Sequence, residues 1–438
     1  MKKFVYFITL LISKLQKLIG GGTSFPGKVA LRLKPDLLSQ FKLPATRIFV
    51  SGTNGKTSIS NYLAAIFDQA GYSVCHNTAG ANLKQGIVTT FINHANSKLE
   101  IKSDALVIEI DEITMIPVFS ELDPSNLLLT NLFTDQIDRM GDKWQLARKL
   151  SRELPAGLNL YLNGDDPVLV WLAEQIKPQK VVYFGLDPAT ISQETNPQIE
   201  KCPYCDSELA YNVRYYESLG RFSCSCGFAA PKLDYVATEI DLFGQTFLLE
   251  DQLYQMPYAQ LYLVYNMLAA AVFAKETGIA DQLISNVLAK QESAVGRFEF
   301  LEFNEHEAWL NLVKNPAGIN QALDYLKREL KIAEQNKQKT NLMLAFNNLP
   351  ADGLDFSWLD QANFELLQSG SLAAIYLCGT LQKQVLELLV KKGISAEKIL
   401  LVDDISESIA KMKTSNLPSY FLTNFTMLKS IRENILKA

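Results

Sequence analysis

The run Ser51-Gly-Thr-Asn-Gly-Lys-Thr-Ser58 constrains the fold of this chain more than any other feature. Before it, Arg47-Ile-Phe-Val50 reads as a short buried strand. After it, Ile59 to Ala70 has helical spacing, and Gly71 stops the helix. Strand, glycine-rich turn and helix N-terminus together make a phosphate-binding loop. The backbone N–H groups of Gly52, Thr53, Asn54, Gly55 and Lys56 can cradle phosphate oxygens at the positive end of the helix. Lys56 can reach the β- and γ-phosphates, the Thr57 hydroxyl suits Mg²⁺, and Ser58 completes the loop. The strict pattern wants Gly five residues before Gly55, where this chain has Val50.

A nucleotide site of this kind needs a second strand ending in a carboxylate. Ala105-Leu-Val-Ile-Glu-Ile-Asp-Glu112 supplies one, and places Glu109 near the strand's C-terminal end as a Mg²⁺ ligand. The competing expectation is that Glu109, Asp111 and Glu112 are solvated loop acids.

At 438 residues the chain exceeds what one hydrophobic core usually supports, so two or three domains are expected. With 48% hydrophobic and 20% charged residues it can bury large cores. The 42 Lys+Arg against 47 Asp+Glu argue against non-specific nucleic-acid binding. No apolar run is long enough to span a bilayer. Near the start, Lys2 and Lys3 precede the apolar run Phe4 to Ile12, with Lys14 and Lys17 after it. No small-residue cleavage site follows cleanly, and basic residues come straight after the run, which disfavours a signal peptide. Two readings remain: a short amphipathic helix packed on the body, or an interfacial helix whose lysines meet anionic lipid.

Six cysteines are too few for a disulfide scaffold of this size. Four of them form two close pairs, Cys202-Pro-Tyr-Cys205 and Cys224-Ser-Cys226, separated by 18 residues. Such pairs on knuckle turns suit tetrahedral Zn²⁺, and Pro203 and Gly227 fit tight turns. Disulfides are the alternative, disfavoured in a reducing cytosol. Tyr211, Tyr215, Tyr216, Phe222 and Phe228 are expected to fill the core of this small insertion. Lys201, Arg214, Arg221 and Lys232 are its only basic residues, too few for a nucleic-acid reader. Cys75 and Cys378 lie in apolar runs and read as inert core thiols.

Gly52-Thr-Asn-Gly-Lys-Thr57 resembles the ATP loop of the Mur ligases and folylpolyglutamate synthases. Four further ordered segments strengthen the resemblance: the strand with Glu109, Asn131-Leu-Phe-Thr-Asp-Gln-Ile-Asp138, Asn266-Met-Leu-Ala-Ala270 and Gly296-Arg-Phe-Glu299. The resemblance implies ATP and Mg²⁺ as cofactors, with Asn266 and Arg297 positioning the nucleotide. Gln136 stands where the family has His. Neither Lys143 nor Lys149 is well spaced for the lysine that many Mur ligases carbamylate. Only 50 residues precede the loop, where a Mur ligase has a UDP-sugar-binding domain. The family's Asp-Tyr-Ala-His-Asn-Pro appears only as Asn311-Leu-Val-Lys-Asn-Pro316.

From residue 300 onward strands and helices alternate, which predicts a parallel, Rossmann-like α/β domain with functional loops at the strand C-termini. Expected strands are 341–346, 373–377, 398–402 and 419–422, and expected helices 321–334, 381–392 and 407–412. The expected division is an N-terminal segment 1–46, an ATPase domain 47–299 with the zinc insertion at about 200–232, and a C-terminal domain 300–438. The loop Asn347-Asn-Leu-Pro-Ala-Asp-Gly-Leu-Asp-Phe-Ser-Trp-Leu-Asp360 is unusually rich in acids; an N-cap at Asp355 or Ser357 is its plain reading. Its Ala-Asp-Gly-x-Asp-x-Ser-Trp pattern, the stretch Gly22 to Leu31 and the four-cysteine insertion resemble the MurT family, synthetase subunits of lipid II isoglutaminyl synthase.

That resemblance implies amidation of the α-carboxyl of D-glutamate in the peptidoglycan stem of lipid II. It implies an acyl-phosphate and ammonia from a GatD-type class I glutaminase partner, at the cytoplasmic face of the membrane. By the same resemblance Asp355 orients the partner's histidine, with Asp352 and Asp360 behind it. The chain's own histidines, His76, His94 and His306, are not near Cys378 in sequence, so it shows no glutaminase of its own. Two rivals remain. One is a stand-alone amino-acid ligase of the Mur or folylpolyglutamate type, which would act without a partner. The other is a zinc-ribbon scaffold that binds ATP without turning it over.

Overall fold

The computed structural model describes residues 2–18, 24–77, 81–133, 142–190, 199–242, 244–291, 296, 298–303, 306–353 and 355–437. They form two compact units that divide after Gln291.

The first unit is built on a nine-stranded sheet. In chain order its strands are β1 (Thr46–Ser51), β2 (Val74–His76), β3 (Ala105–Glu109), β4 (Asn126–Leu129), β5 (Asn159–Asn163) and β6 (Lys180–Leu186). After a separate hairpin of β7 (Ala210–Tyr216) and β8 (Leu219–Ser223) come β9 (Tyr235–Asp241), β10 (Thr246–Leu249) and β11 (Gln252–Gln255). The sheet order is β11-β10-β9-β6-β5-β4-β1-β3-β2. It is parallel from β2 to β9 and antiparallel across β10 and β11. Ile48–Val50 of β1 and Ala105–Ile108 of β3 run as continuous apolar stretches because both faces are covered. The helix Leu261–Glu276 is buried almost throughout.

Strand β1 lies between β3 and β4, with Val50 opposite both Glu109 and Leu128. The chain leaves the sheet on opposite sides of β1, and this opens a crevice at the strand C-termini. That crevice is where the phosphate loop emerges. β1 continues through Val50 to Ser51, so the missing glycine at position 50 is a strand residue and the turn begins at Gly52.

The first 46 residues belong to this unit. The helices Lys2–Leu18 and Phe25–Leu33 pack on each other and on Lys84–His94. Gly27 permits the approach: a Cβ there would lie 1.8 Å from the Gln85 carbonyl oxygen, and its N–H donates to Thr89 Oγ1 at 2.8 Å.

The second unit has a six-stranded sheet of β12 (Glu299–Phe303), β13 (His306–Leu312), β14 (Thr340–Ala345), β15 (Leu372–Cys378), β16 (Ile399–Leu401) and β17 (Ser419–Thr423). Its order is β12-β13-β17-β14-β15-β16. The four strands and three helices expected from sequence are present. The sheet is not wholly parallel, because β12 and β13 form an antiparallel hairpin at one edge. A last helix, Phe425–Lys437, was not expected; it buries Met427, Ile431 and Ile435 against the sheet.

Candidate functional site

The phosphate loop is strapped to the end of β4. Thr53 N–H donates to the Asn131 carbonyl at 2.9 Å, and Asn54 N–H to Asn131 Oδ1 at 2.9 Å. Thr130 Oγ1 donates to the Asn54 carbonyl at 2.6 Å. Thr53 Oγ1 accepts from Phe133 N–H at 2.9 Å. These bonds leave the amides at the start of the helix Lys56–Gln69 without intrahelical partners, as every helix N-terminus does. Lys56, Thr57 and Ser58 form its first turn. Gly55 sits at φ 90°, and a Cβ there would lie 2.3 Å from Asn266 Oδ1. Asn266 is therefore against the loop, although 211 residues separate it from Gly55.

The acids after β3 are not solvated. Glu109, Asp111 and Glu112 are 4%, 8% and 2% exposed. Glu109 is fixed at both ends: its N–H donates to Asn77 Oδ1 at 2.8 Å, and its Oε1 accepts from Asn82 Nδ2 at 3.0 Å. Asp111 caps the turn at Ile113 and Thr114. Glu112 receives Lys56 Nζ at 2.8 Å, and the same ammonium donates to the Gly52 carbonyl. Burial opposes the charge on Lys56, but Glu112, with Glu109 and Asp111 behind it, outweighs burial and raises its pKa above the ordinary lysine value. Sequence reasoning missed Glu112, Asn77, Asn82 and the strap at Thr130. Only the strand's carboxylate ending hinted at Glu112.

Residues 134–138 of the Asn131–Asp138 segment, and Arg297, lie outside the described residues. Of the two lysines weighed above, Lys143 pairs with the buried Glu200, and Lys149 is exposed.

The four cysteines of the insertion converge. Their sulfurs all lie within 4.8 Å of one another, with Cys202–Cys226 at 3.5 Å and Cys205–Cys224 at 3.4 Å. All four are free thiols, so the disulfide alternative does not hold here. Tetrahedral thiolates around one Zn²⁺ sit about 3.8 Å apart, which this set matches. Two knuckles present them. Asp206 N–H donates to the Cys202 carbonyl, and Gly227 N–H to the Cys224 carbonyl, both at 3.0 Å.

The aromatics of the insertion do not all fill its own core. Tyr215 donates to the Leu186 carbonyl at 2.7 Å, and Tyr216 packs on Phe133 and Tyr265. Arg221 pairs with the fully buried Asp165, which also accepts from Tyr265 at 2.9 Å. These contacts make the insertion a buttress of the nine-stranded sheet, not an appendage. Cys75 and Cys378 are buried, and burial raises both thiols, Cys378 to about 11.

In the second unit the loop after β14 separates its acids by role. Asp352 is held by the last helix, accepting from Thr426 N–H at 2.9 Å and Thr426 Oγ1 at 2.6 Å. Asp355 is exposed, and its Oδ1 accepts from Ser357 N–H at 2.9 Å. Ser357, through hydroxyl and amide, holds this carboxyl below the usual range. Asp360 is exposed on the turn Ser357–Gln361. Trp358 meets Phe346 edge-on and anchors the loop. In the Asn311–Pro316 segment, Asn315 caps the helix Pro316–Gln335 through Gly318 N–H at 2.8 Å.

Residues 50–274 match the family described as the Mur ligase middle domain, and residues 312–428 match the MurT ligase C-terminal domain. The chain is 32% identical over 419 residues to the MurT subunit of a glutamine-hydrolysing lipid II isoglutaminyl synthase from Staphylococcus aureus strain COL, covering 94% of this chain and 93% of that one. It is 31% identical over 427 residues to the corresponding Streptococcus pneumoniae subunit, covering 95% and 92%. Among solved structures, a pseudomurein peptide ligase type C from Methanothermus fervidus superimposes with TM-score 0.72 at 18% identity, over 92% of this chain and 81% of that one. The MurF ligase of Thermotoga maritima in complex with ADP gives 0.62 at 14%, over 93% and 84%. These structural likenesses establish the fold.

Proposed function

The chain belongs to the MurT family of Mur-type ligases, and from that premise we propose that it is the ATP-dependent synthetase subunit of a lipid II amidotransferase in peptidoglycan synthesis. Its substrate is the α-carboxyl of D-glutamate in the stem peptide of lipid II, and its product is D-isoglutamine. The work is done at the inner face of the membrane. The observation that carries the reading is that a buried Lys56–carboxylate arrangement at a phosphate loop shares a chain with a MurT-type C-terminal domain.

A carboxylate is a poor electrophile. One of its oxygens attacks the γ-phosphorus of ATP, ADP leaves, and the resulting acyl-phosphate has a good leaving group. Ammonia then attacks the acyl carbon, phosphate departs, and the nitrogen loses a proton to give the amide. Lys56 and the loop amides of Gly52, Thr53, Asn54 and Gly55 stabilise charge on the transferring phosphoryl group. Thr57 and Glu109 are the residues that would hold Mg²⁺, which supplies charge neutralisation at the phosphates. Asn266 and, by family resemblance, Arg297 position the nucleotide. Cys202, Cys205, Cys224 and Cys226 would hold a structural Zn²⁺, and that ion contributes folding energy to the insertion.

Free ammonia is mostly protonated at neutral pH, so a class I glutaminase partner of the GatD type supplies it protected from water. Asp355 presents its carboxylate for the histidine of that partner's Cys–His pair. The test is to co-express the chain with a small Cys–His glutaminase and assay lipid II amidation with ATP and glutamine. Co-purification and amide formation needing both chains are expected. Addition of an amino acid by this chain alone would instead restore the stand-alone ligase reading.

A further inference from the structure

The helix Lys2–Leu18 covers the core with one side, where Val5 and Tyr6 are buried and Leu10 packs, and leaves a second apolar side uncovered. Its inward side also carries hydroxyls: Tyr6 donates to the Ala95 carbonyl at 2.8 Å, and Ser13 to Asn93 Oδ1 at 3.0 Å. Thr9 is fully buried, and its hydroxyl has no hydrogen-bond partner. Its outward side carries Phe4, Phe7, Leu11 and Leu15, which are 62%, 57%, 59% and 54% exposed. Intervals of three and four residues align these four side chains in one stripe along the helix. The neighbouring helix Phe25–Leu33 also exposes Phe25 and Leu33, together with Lys28 and Arg32.

Charge separates this region from the rest of the chain. Residues 1–35 contain seven Lys or Arg and no Asp or Glu, whereas the remainder has 35 Lys+Arg against 47 Asp+Glu. Lys3 and Lys14 lie eleven residues apart, close to three helical turns, and so flank the stripe on the same side. Among the described residues no helix is long and apolar enough to cross a membrane.

We propose that the helix Lys2–Leu18 is an in-plane anchor for an anionic phospholipid surface. Phe4, Phe7, Leu11 and Leu15 enter the boundary between headgroups and acyl chains, while Lys3 and Lys14 keep their ammonium groups among the lipid phosphates. A second copy of the chain fits this face poorly, because it would bring the exposed Lys3, Lys14, Lys28 and Arg32 of the two copies together. The stripe and the charges are independent of the amidation chemistry.

The test is co-sedimentation of the full chain with phosphatidylcholine vesicles, with and without phosphatidylglycerol. The wild type is expected to sediment with the anionic vesicles and to be released as salt rises. Phe7→Glu with Leu11→Glu should lower partitioning at least ~10-fold, with an unchanged thermal midpoint and unchanged ATP turnover. Phe4→Ser with Leu15→Ser replaces that variant should the first pair not fold. Lys3→Glu with Lys14→Glu should erase the preference for phosphatidylglycerol. Wild-type protein left in the supernatant, or apolar variants that partition like wild type, would overturn the proposal. So would a concentration-dependent dimer that Phe7→Glu with Leu11→Glu abolishes, in a protein that ignores vesicles.

Discussion

The phosphate-loop end of the first unit and the Asp355 loop of the second place their carboxylates in opposite settings. Glu109 and Glu112 are at most 4% exposed, and each is held by side chains of its own unit, Asn82 and Lys56. Asp355 is exposed and steadied by its own turn. The first arrangement is ready to act on a ligand that enters it. The second offers an oriented acceptor to solvent, so chemistry there needs an atom brought by another molecule. On the proposed function, the chain carries the ATP site whole and lends one carboxylate to a second site that a partner would complete.

The strongest way to break this comparison is Lys56→Ala, which should abolish amidation with glutamine and with ammonium alike. The structure adds a consequence for stability. The variant leaves Glu112 buried and unpaired, at a cost of about 3–5 kcal/mol. Lys56→Met with Glu112→Gln should recover the thermal midpoint and stay inactive; recovered activity would remove Lys56 from the chemistry.

Asp355→Asn should lose up to ~10⁴-fold of glutamine-dependent amidation. It should keep its melting temperature and its activity with added ammonium salt. Asp352→Asn, which loosens the tie to Thr426, should instead lower stability with little selectivity between nitrogen sources. If the two variants behave alike, the division of roles in this loop is wrong.

Metal analysis should find about one zinc per chain, and Cys202→Ser with Cys205→Ser should lose it along with the order of the insertion. Full order in that variant, judged by amide exchange across β7 and β8, would show that the buttress needs no ion.

The smallest effect concerns Asp166, fully buried, which accepts from Leu132 N–H and Val168 N–H at 2.8 Å each. Burial lifts its carboxyl to about 6. Above its unfolded value of 3.8 the unfolded chain releases this proton first. The contribution of Asp166 to stability therefore falls as pH rises from about 4 to about 6, by at most about 3 kcal/mol, and is flat beyond. The difference in unfolding free energy between wild type and Asp166→Asn, measured across pH 4 to 7, should follow that curve.

Local chemistry made parts of this molecule legible in sequence. Strand, turn and helix around Gly52–Thr57 must be contiguous for amides to face a phosphate, and two cysteine knuckles carry their own turns. What was illegible depends on distant partners. Three acids in four residues at Glu109–Glu112 look solvated until Asn77 and Asn82, from beyond β2, and Lys56, from the next helix, close on them. Asn266 meets Gly55 only through packing of a whole helix. The β12–β13 edge is antiparallel because a hairpin needs no crossover, and nothing in the alternation beyond residue 300 marked it. In the first helix, periodicity gave the stripe but not which side faced water.

The ion pair between Lys56 and Glu112 makes nucleotide entry an exchange and not a simple addition. Any anion approaching Lys56 finds its seat taken by a carboxylate at 2.8 Å. A singly charged visitor gains nothing by the swap, since it replaces one negative charge with another and leaves Glu112 stranded. A polyphosphate gains, because its several oxygens also engage the loop amides, and an accompanying divalent cation gives the displaced carboxylate a new counter-charge. The resting protein thereby discriminates by valence before it recognises any base or sugar.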